Sequence, residues 1–121
     1  NLEVQNNVEN ETTNHLVAIP STSKIDIINI DDIVYIAADG RYSIFYLTNG
    51  TLKVATRNLG DYEKLLNPNT FFRIHHSYLV NLNMVVKINK SAGNYCELVN
   101  GKALPIAKRR QEKLNRFLKI R

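Results

Sequence analysis

The sequence predicts a mainly β fold with short helices and a basic helix at its C-terminal end. Nine or ten short runs of β-branched and aromatic residues alternate with turn residues, which is typical of short strands. Two Asn-Gly dipeptides, Asn49-Gly50 and Asn100-Gly101, are strong hairpin signals. Residues 107–118 have the apolar spacing of one helical face. The length of 121 residues favours a single domain.

The strands are predicted from β-branched runs that end at turn residues. Residues 33–56 form a three-strand antiparallel meander, with tight turns at Asp39-Gly40 and Asn49-Gly50. Pro105 indicates a strand end or a sheet edge, because proline lacks a backbone donor. The strands predicted outside the meander are residues 16–19, 24–30, 71–74, 78–80, 84–88, 95–99 and 104–106.

Two helices are predicted, and each has one apolar face. Asn58 is placed to cap the inner helix, whose apolar face comprises Leu59, Tyr62, Leu65 and Leu66. The apolar face of the terminal helix, which we expect to join the core, comprises Leu114, Phe117 and Leu118. Since no long helix precedes the terminal one, a helix-turn-helix is not predicted. Any DNA-reading surface would use loops or sheet edges.

The first residues differ in composition from the rest of the chain. Residues 1–14 contain Glu3, Glu9 and Glu11 but no Lys or Arg, and few large apolar side chains. They are predicted to be a linker or disordered end, with the folded domain over residues 15–121. Because the chain does not begin with Met, we expect a domain upstream. No signal peptide and no apolar run of about 20 residues is present, which favours a cytoplasmic location.

Positive charge is concentrated at the C-terminal end. The formal net charge is +5. Eight Lys or Arg residues stand in residues 102–121, with Glu112 the only acid among them. Such a field favours a polyanionic partner, either nucleic acid or an anionic lipid surface. A solvated, charged helix face explains the charge equally well.

The sequence does not favour an enzyme, a metal site or a cofactor. His75-His76-Ser77 could suggest catalysis, but neighbours on an extended chain point to opposite faces, so His76 is badly placed as a base for Ser77. Neither a G-x-S-x-G elbow nor H-x-x-x-H or C-x-x-C spacing is present. Cys96 reads as a small buried hydrophobe, and one cysteine excludes an intrachain disulfide. The glycines stand singly, so no phosphate-binding loop is predicted.

Two basic sites are candidates for contact with a polyanion. Arg41 follows the Asp39-Gly40 turn, where a guanidinium could bind a guanine edge or a phosphate. A solvated surface arginine is the more common situation. Lys108-Arg109-Arg110 lies where a strand gives way to a helix, and the free N–H groups of a helix start suit phosphate oxygens. Cations oppose the helix dipole there, so a bound anion would complete this second site.

Three segments together resemble the LytTR family of DNA-binding domains. The central segment, Phe71-Phe72-Arg73-Ile74-His75-His76-Ser77-Tyr78-Leu79-Val80-Asn81, is similar to the family core F-x-R-x-H-[RN]-S-[FY]-[LIV]-V-N. Asp32-Ile33-Val34-Tyr35-Ile36 resembles the opening meander of the family. Leu104-Pro105-Ile106-Ala107-Lys108-Arg109-Arg110 resembles its closing segment. The resemblance covers residues 15–118, and the central motif is highly specific.

The resemblance implies the output domain of a bacterial response regulator. The family includes the accessory gene regulator of staphylococcal quorum sensing. The implied fold is an elongated set of small antiparallel sheets, whose loops enter two successive major grooves of double-stranded DNA while the intervening minor groove faces the protein body. Paired direct repeats, DNA bending, a possible dimer on DNA and an N-terminal receiver domain are expected with it.

The resemblance also implies which residues touch DNA. Three loops would do so: Asp39-Gly40-Arg41, His75-His76-Ser77 and Lys108-Arg109-Arg110. Arg73 would contact a phosphate or pack its stem, and Asn81 would tie a turn to backbone groups.

Two positions depart from the family pattern. His76 stands where Arg or Asn is common, so its contact could depend on pH. Ala107 replaces the usual serine and removes a hydroxyl from the helix start.

The alternative to DNA binding is a basic, β-rich module that binds proteins or a membrane surface. It would need an exposed apolar stripe beside the positive charges. The apolar face of the terminal helix is the only candidate for that stripe, and we expect the core to bury it.

Overall fold

The structure is a computed structural model that describes residues 15–90 and 93–119. The predicted linker at residues 1–14 lies outside the described residues. The described part forms ten strands, two α-helices and two short 3₁₀ turns. The strands are β1 (Leu16–Pro20), β2 (Ile25–Asn29), β3 (Ile33–Asp39), β4 (Tyr42–Leu47), β5 (Leu52–Ala55), β6 (Phe71–His75), β7 (Tyr78–Asn81), β8 (Val85–Asn89), β9 (Tyr95–Leu98) and β10 (Ala103–Pro105). The helices are α1 (Leu59–Leu65) and α2 (Lys108–Phe117), and the 3₁₀ turns are Ile30–Asp32 and Leu82–Met84.

The strands form three antiparallel sheets. The largest has five strands in the order β5-β4-β3-β7-β6, so β5 and β6 are its edges. β1 pairs with β2, and the third sheet has the order β10-β9-β8. The predicted mainly β fold and the predicted meander of β3, β4 and β5 are therefore confirmed, and β10 is the predicted edge strand.

The five-stranded sheet has a hydrophobic core on each face. Side chains alternate across a strand, so neighbours on β3 such as Tyr35 and Ile36 enter different cores. One core contains β1 and α1 residues, including Ile19 and Tyr62. The other contains residues of the three-stranded sheet and α2, including Leu114. The sheet is thus the central layer, which explains why residues 33–37 are all buried.

Local sequence signals determine the turns between these elements. Gly40 and Gly50 have positive φ angles of 61° and 87°, the left-handed region that glycine enters without steric cost. The Asn58 side chain accepts a hydrogen bond from the Asp61 backbone N–H at 2.8 Å and caps α1, as predicted. Asn81 is 1% exposed and its Nδ2 donates to the Ile33 carbonyl at 2.9 Å, so its predicted structural role is confirmed.

The predicted apolar faces of the helices are partly wrong. Leu65 is 60% exposed, because α1 ends there and the following residue, Leu66, turns into the core. Phe117 and Leu118 are each 38% exposed, whereas Leu114 is buried. Because α2 has only ten residues and packs against the edge strand β6, only a narrow stripe of the helix surface is buried. Phe117 rests beside Phe72, with ring centroids 5.7 Å apart.

Cys96 lies on β9 inside the second core, as predicted. Burial raises the pKa of its thiol to about 11, so the side chain is a neutral thiol at pH 7.

Candidate nucleic-acid interface

Two of the three predicted DNA-binding loops lie at the same end of the five-stranded sheet. β3 pairs antiparallel with β7, and the Ala38 N–H donates to the Ser77 carbonyl at 2.8 Å. β3 runs into the turn of residues 39–41, and β7 leaves the turn of residues 75–77. Antiparallel pairing therefore places both turns side by side.

The third predicted loop is attached to the second. The Ala107 N–H donates to the Ile74 carbonyl at 2.8 Å, and Arg110 Nη1 donates to the Arg73 carbonyl at 3.1 Å. These bonds place the start of α2 beside β6, next to turn 75–77. We call residues 39–41, 75–77 and 108–110 together the basic sheet end.

Arg73, a predicted DNA contact, is engaged inside the protein. Its Nε donates to the His75 carbonyl at 3.2 Å, and its Nη2 donates to the His76 carbonyl. Nη1 bonds Glu63 Oε1 on α1 at 2.7 Å. The side chain is only 16% exposed. The guanidinium thus lies under turn 75–77 and holds two of its carbonyls, a task that suits its planar fork of donors.

His75 is a neutral ring that stabilises the same turn. Its Nδ1 accepts a hydrogen bond from the Ser77 N–H at 3.1 Å. Burial, followed by the nearby His76, Arg110 and Arg73, lowers the pKa of His75. An accepting Nδ1 leaves Nε2–H as the donor of this ring. His76 is exposed beyond it.

The expectation of an extended chain at residues 75–77 is wrong. β6 ends at His75, and residues 76 and 77 form the turn. The rings of His75 and His76 therefore lie on the same side, with centroids 4.5 Å apart. Within the described residues, no group of three His, Cys, Asp or Glu side chains is placed to hold a metal ion.

The basic residues at the start of α2 divide into two kinds. Arg110 is partly buried, and its Nε is buried without a hydrogen-bond partner among the described atoms. Burial and the neighbouring Arg109 and Arg73 lower the pKa of Arg110, while Glu63 opposes them. Lys108 and Arg109 are exposed. Ala107 is the N-cap of α2 and makes no side-chain capping bond, which leaves backbone N–H groups there without that partner.

Arg41 differs from Arg73 because its guanidinium has no bonding partner in the described part of the protein. It is exposed at the tip of turn 39–41. No hydrogen bond or ion pair joins its side chain to the described part of the chain. The structure therefore brings together all eight predicted site residues, which fall into two groups. Four are exposed: Arg41, His76, Lys108 and Arg109. The other four are partly buried and bonded within the protein: Arg73, His75, Ser77 and Arg110.

Sequence reasoning missed Arg57, which follows β5 at the same end of the sheet. The Ser43 hydroxyl donates to the Arg57 carbonyl at 2.7 Å, and the Arg57 side chain is 54% exposed. The one local signal, its place before the capping Asn58, concerns helix structure only. Its position depends on contact with Ser43, fourteen residues away.

No described helix is both long enough and apolar enough to cross a membrane.

Comparison with known proteins covers most of the chain. The family model for the LytTr DNA-binding domain matches residues 23–119. The sensory transduction protein LytT of Bacillus anthracis is 28% identical over 114 residues, which cover 88% of this chain and 44% of that protein. The LytT protein of Bacillus cereus matches with the same identity and coverage. The chain thus spans less than half the length of these curated relatives.

A solved structure has the same fold. It is a LytTr DNA-binding domain from Bacillus cereus, with a TM-score of 0.75 and 19% sequence identity. The likeness covers 86% of this chain and 96% of the solved one. The family match at residues 23–119 includes all three loops of the basic sheet end. The chain therefore belongs to the LytTR family, a family of non-catalytic DNA-binding domains of the response-regulator type.

Proposed function

We propose that the basic sheet end binds double-stranded DNA sequence-specifically, as the output domain of a bacterial transcriptional response regulator. The observation that carries the proposal is the meeting of three loops at one end of a sheet, with four exposed side chains that make no hydrogen bond or ion pair within residues 15–90 and 93–119. Those side chains are Arg41, His76, Lys108 and Arg109. A receiver domain upstream, paired direct repeats as target and a dimer on DNA belong to the same proposal.

The strand order suggests how the loops meet the duplex. Adjacent strands are about 4.8 Å apart, so turns 39–41 and 75–77 lie roughly 10 Å from each other. The start of α2 lies beyond β6, on the far side of turn 75–77. In this arrangement His76 faces a minor groove about 6 Å wide. Arg41 and Arg109, one on each side, reach the two successive major grooves.

The residues then have different tasks. Arg41 and Arg109 are able to donate two hydrogen bonds each to guanine O6 and N7, the most common specific contact in a major groove. Lys108 and Ser77 contact phosphate oxygens and fix the register of the protein. Arg73 and Arg110 are positioning residues, because their donors go to carbonyls of β6 and of turn 75–77.

A salt titration tests DNA binding directly. If about six phosphates are neutralised, log K falls with log salt with a slope of about −5. Binding to a mixed-sequence duplex, followed by fluorescence anisotropy, measures this slope. A slope near zero would contradict the proposal. Selection of bound oligonucleotides from a random pool identifies the target and shows whether it contains two direct repeats.

Arg109→Ala tests the placement of the third loop. We expect a loss of about 1–3 kcal/mol on the selected target and relaxed specificity at one base pair. Lys102→Gln is the control, because Lys102 is exposed in the β9–β10 turn. That turn bonds to Met84, which follows the far end of β7, so it lies away from the basic sheet end. Equal binding by Arg109→Ala and the native chain would contradict the placement.

Membrane-surface binding has one observation in its favour, the exposure of Phe117 and Leu118. They lie at the end of α2 opposite to Arg109, and Phe117 already contacts Phe72. Flotation with anionic lipid vesicles separates the two functions. Flotation without a mobility shift on duplex DNA would favour the membrane.

A further inference from the structure

We propose that Arg57 contacts a DNA phosphate and extends the DNA-binding surface from turn 39–41 to the corner between β5 and α1. This inference rests on the proposed function, since it concerns the same end of the sheet. It adds a contact that lies outside all three predicted loops.

Contacts between neighbouring strands place Arg57 at the same end of the sheet as turns 39–41 and 75–77. The fully buried Ser43 donates its hydroxyl hydrogen to the Arg57 carbonyl at 2.7 Å, and its backbone pairs with Ala55 on β5. On its other side Ser43 pairs with Ala38, whose N–H donates to the Ser77 carbonyl at 2.8 Å. One line across the sheet therefore joins Arg57 to turn 75–77.

The guanidinium of Arg57 is available to a ligand. Its nearest acidic partner in the described structure is Asp61, at 3.7 Å between Nε and Oδ2, which is too long for a hydrogen bond. The side chains are 54% and 43% exposed. An ion pair of this kind contributes little to stability, so a phosphate can displace it. Arg73, at the other side of the sheet, is 16% exposed and bonds three acceptors.

The distances fit a contact at the border of a groove. Arg57 follows β5, about one and a half strand spacings, or roughly 7 Å, from the middle of turn 39–41. A major groove is about 12 Å wide, so phosphates lie about 6 Å from its centre. If turn 39–41 enters a major groove, Arg57 stands on the outward side of that turn, and its long side chain extends toward the phosphates along the outer border. A phosphate contact raises affinity for every sequence but carries no base specificity.

Charge variants test this contact on a mixed-sequence duplex. We expect Arg57→Gln to weaken binding about fivefold and to reduce the salt slope by about 0.9. Arg57→Lys keeps the charge and should retain the native slope. Asp61→Asn removes the competing carboxylate and should tighten binding. Lys102→Gln makes the same charge change at the far end of the molecule and should leave the slope unchanged.

The outcomes separate this inference from the proposed function. A native slope in Arg57→Gln, together with a steep slope in the native chain, would overturn the role of Arg57 alone. Equal losses in Arg57→Gln and Lys102→Gln would also overturn it, because the effect would then be one of net charge. No salt-dependent binding by the native chain would overturn the proposed function and this inference with it. Thermal unfolding of each variant checks that the fold is intact.

Discussion

Turns 75–77 and 39–41 lie side by side, but they are held in different ways. Turn 75–77 is held by side chains from its own strand and by α1 and α2, since Arg73 bonds two of its carbonyls and Glu63, and Arg110 bonds β6. Turn 39–41 depends on backbone pairing of β3 with β4 and on the positive φ of Gly40.

The difference has consequences for binding. A turn already fixed in its bound shape loses little conformational entropy when DNA arrives, whereas a free arginine loses about 2 kcal/mol of side-chain entropy. The fixed turn is suited to setting the register of the protein on the duplex. Arg41, which is free to move, is suited to adapting to the local DNA shape. Replacing Arg73, which holds turn 75–77, and Arg41, at the tip of turn 39–41, by lysine tests this division.

The largest effect is expected for Arg73→Lys. An ammonium group cannot reproduce the planar fork that bonds two carbonyls and Glu63. We expect the free energy of unfolding to fall by about 1–3 kcal/mol, because acceptors lose their donor. DNA affinity should fall about tenfold or more as the turn loosens. Denaturant unfolding and fluorescence anisotropy measure the two changes.

Glu63→Gln provides the matched control for Arg73. It removes one partner but leaves the bonds from Arg73 to the carbonyls, so smaller losses are expected. If Arg73→Lys binds DNA as tightly as the native chain, Arg73 is a phosphate contact and does not hold the turn.

An intermediate effect, confined to binding, is expected for Arg41→Ala. Its side chain has no partner in the described structure, so the free energy of unfolding should change by less than about 0.5 kcal/mol. Affinity for the selected target should fall by about 1–3 kcal/mol. Arg41→Lys restores binding only if the contact is a phosphate, because lysine cannot make the bidentate contact with guanine.

Gly40→Ala separates the turn backbone from the side chain at its tip. No heavy atom lies within 4 Å of an added Cβ, so any cost comes from the left-handed backbone. A loss of about 1–2 kcal/mol in unfolding free energy is expected. Wild-type stability would show that the turn does not need this conformation.

The smallest effect concerns pH and turn 75–77. The pKa of His75 is lowered in the folded chain, mainly by burial, so the unfolded chain takes up a proton at higher pH. Stability from this residue is therefore complete above about pH 6.5, the ordinary value. This contribution to stability is lost as the pH falls from that value through the lower pKa that His75 has in the folded chain. Protonation also ends the bond in which Nδ1 accepts from Ser77.

Unfolding measured across this pH range tests the residue. We expect His75→Gln to flatten the decline, whereas His15→Gln, at the start of the described chain, should keep it. A decline that persists unchanged in His75→Gln would assign the pH dependence to other groups.

Much of the fold could be predicted because its signals are local. Asn49-Gly50 specifies its hairpin by backbone preference, and Asn58 caps α1 with its own side chain. Burial at helix ends was less predictable. Leu65 and Phe117 have the correct spacing for buried positions, but whether they are covered depends on where each helix stops against its sheet.

The sequence predicted which residues form the site, but it did not predict what each residue does there. The central motif and the basic segment include seven of the eight candidates, and the eighth, Arg41, follows the predicted Asp39-Gly40 turn. Whether Arg73 points to DNA or into the protein depends on Glu63 and on two carbonyls, which come together only after folding. The sequence around Arg57 indicated only a helix start, since the position of Arg57 at this end of the sheet is set by pairing between strands.

The two cores lie on the faces of the five-stranded sheet, and Arg41, His76 and Arg109 belong to neither. Exchanging these three side chains therefore leaves the packed interior untouched. A library randomised at those positions should contain mostly folded members that differ in the DNA they prefer. The architecture thus permits evolution, or an engineer, to acquire new target sequences with few losses to misfolding.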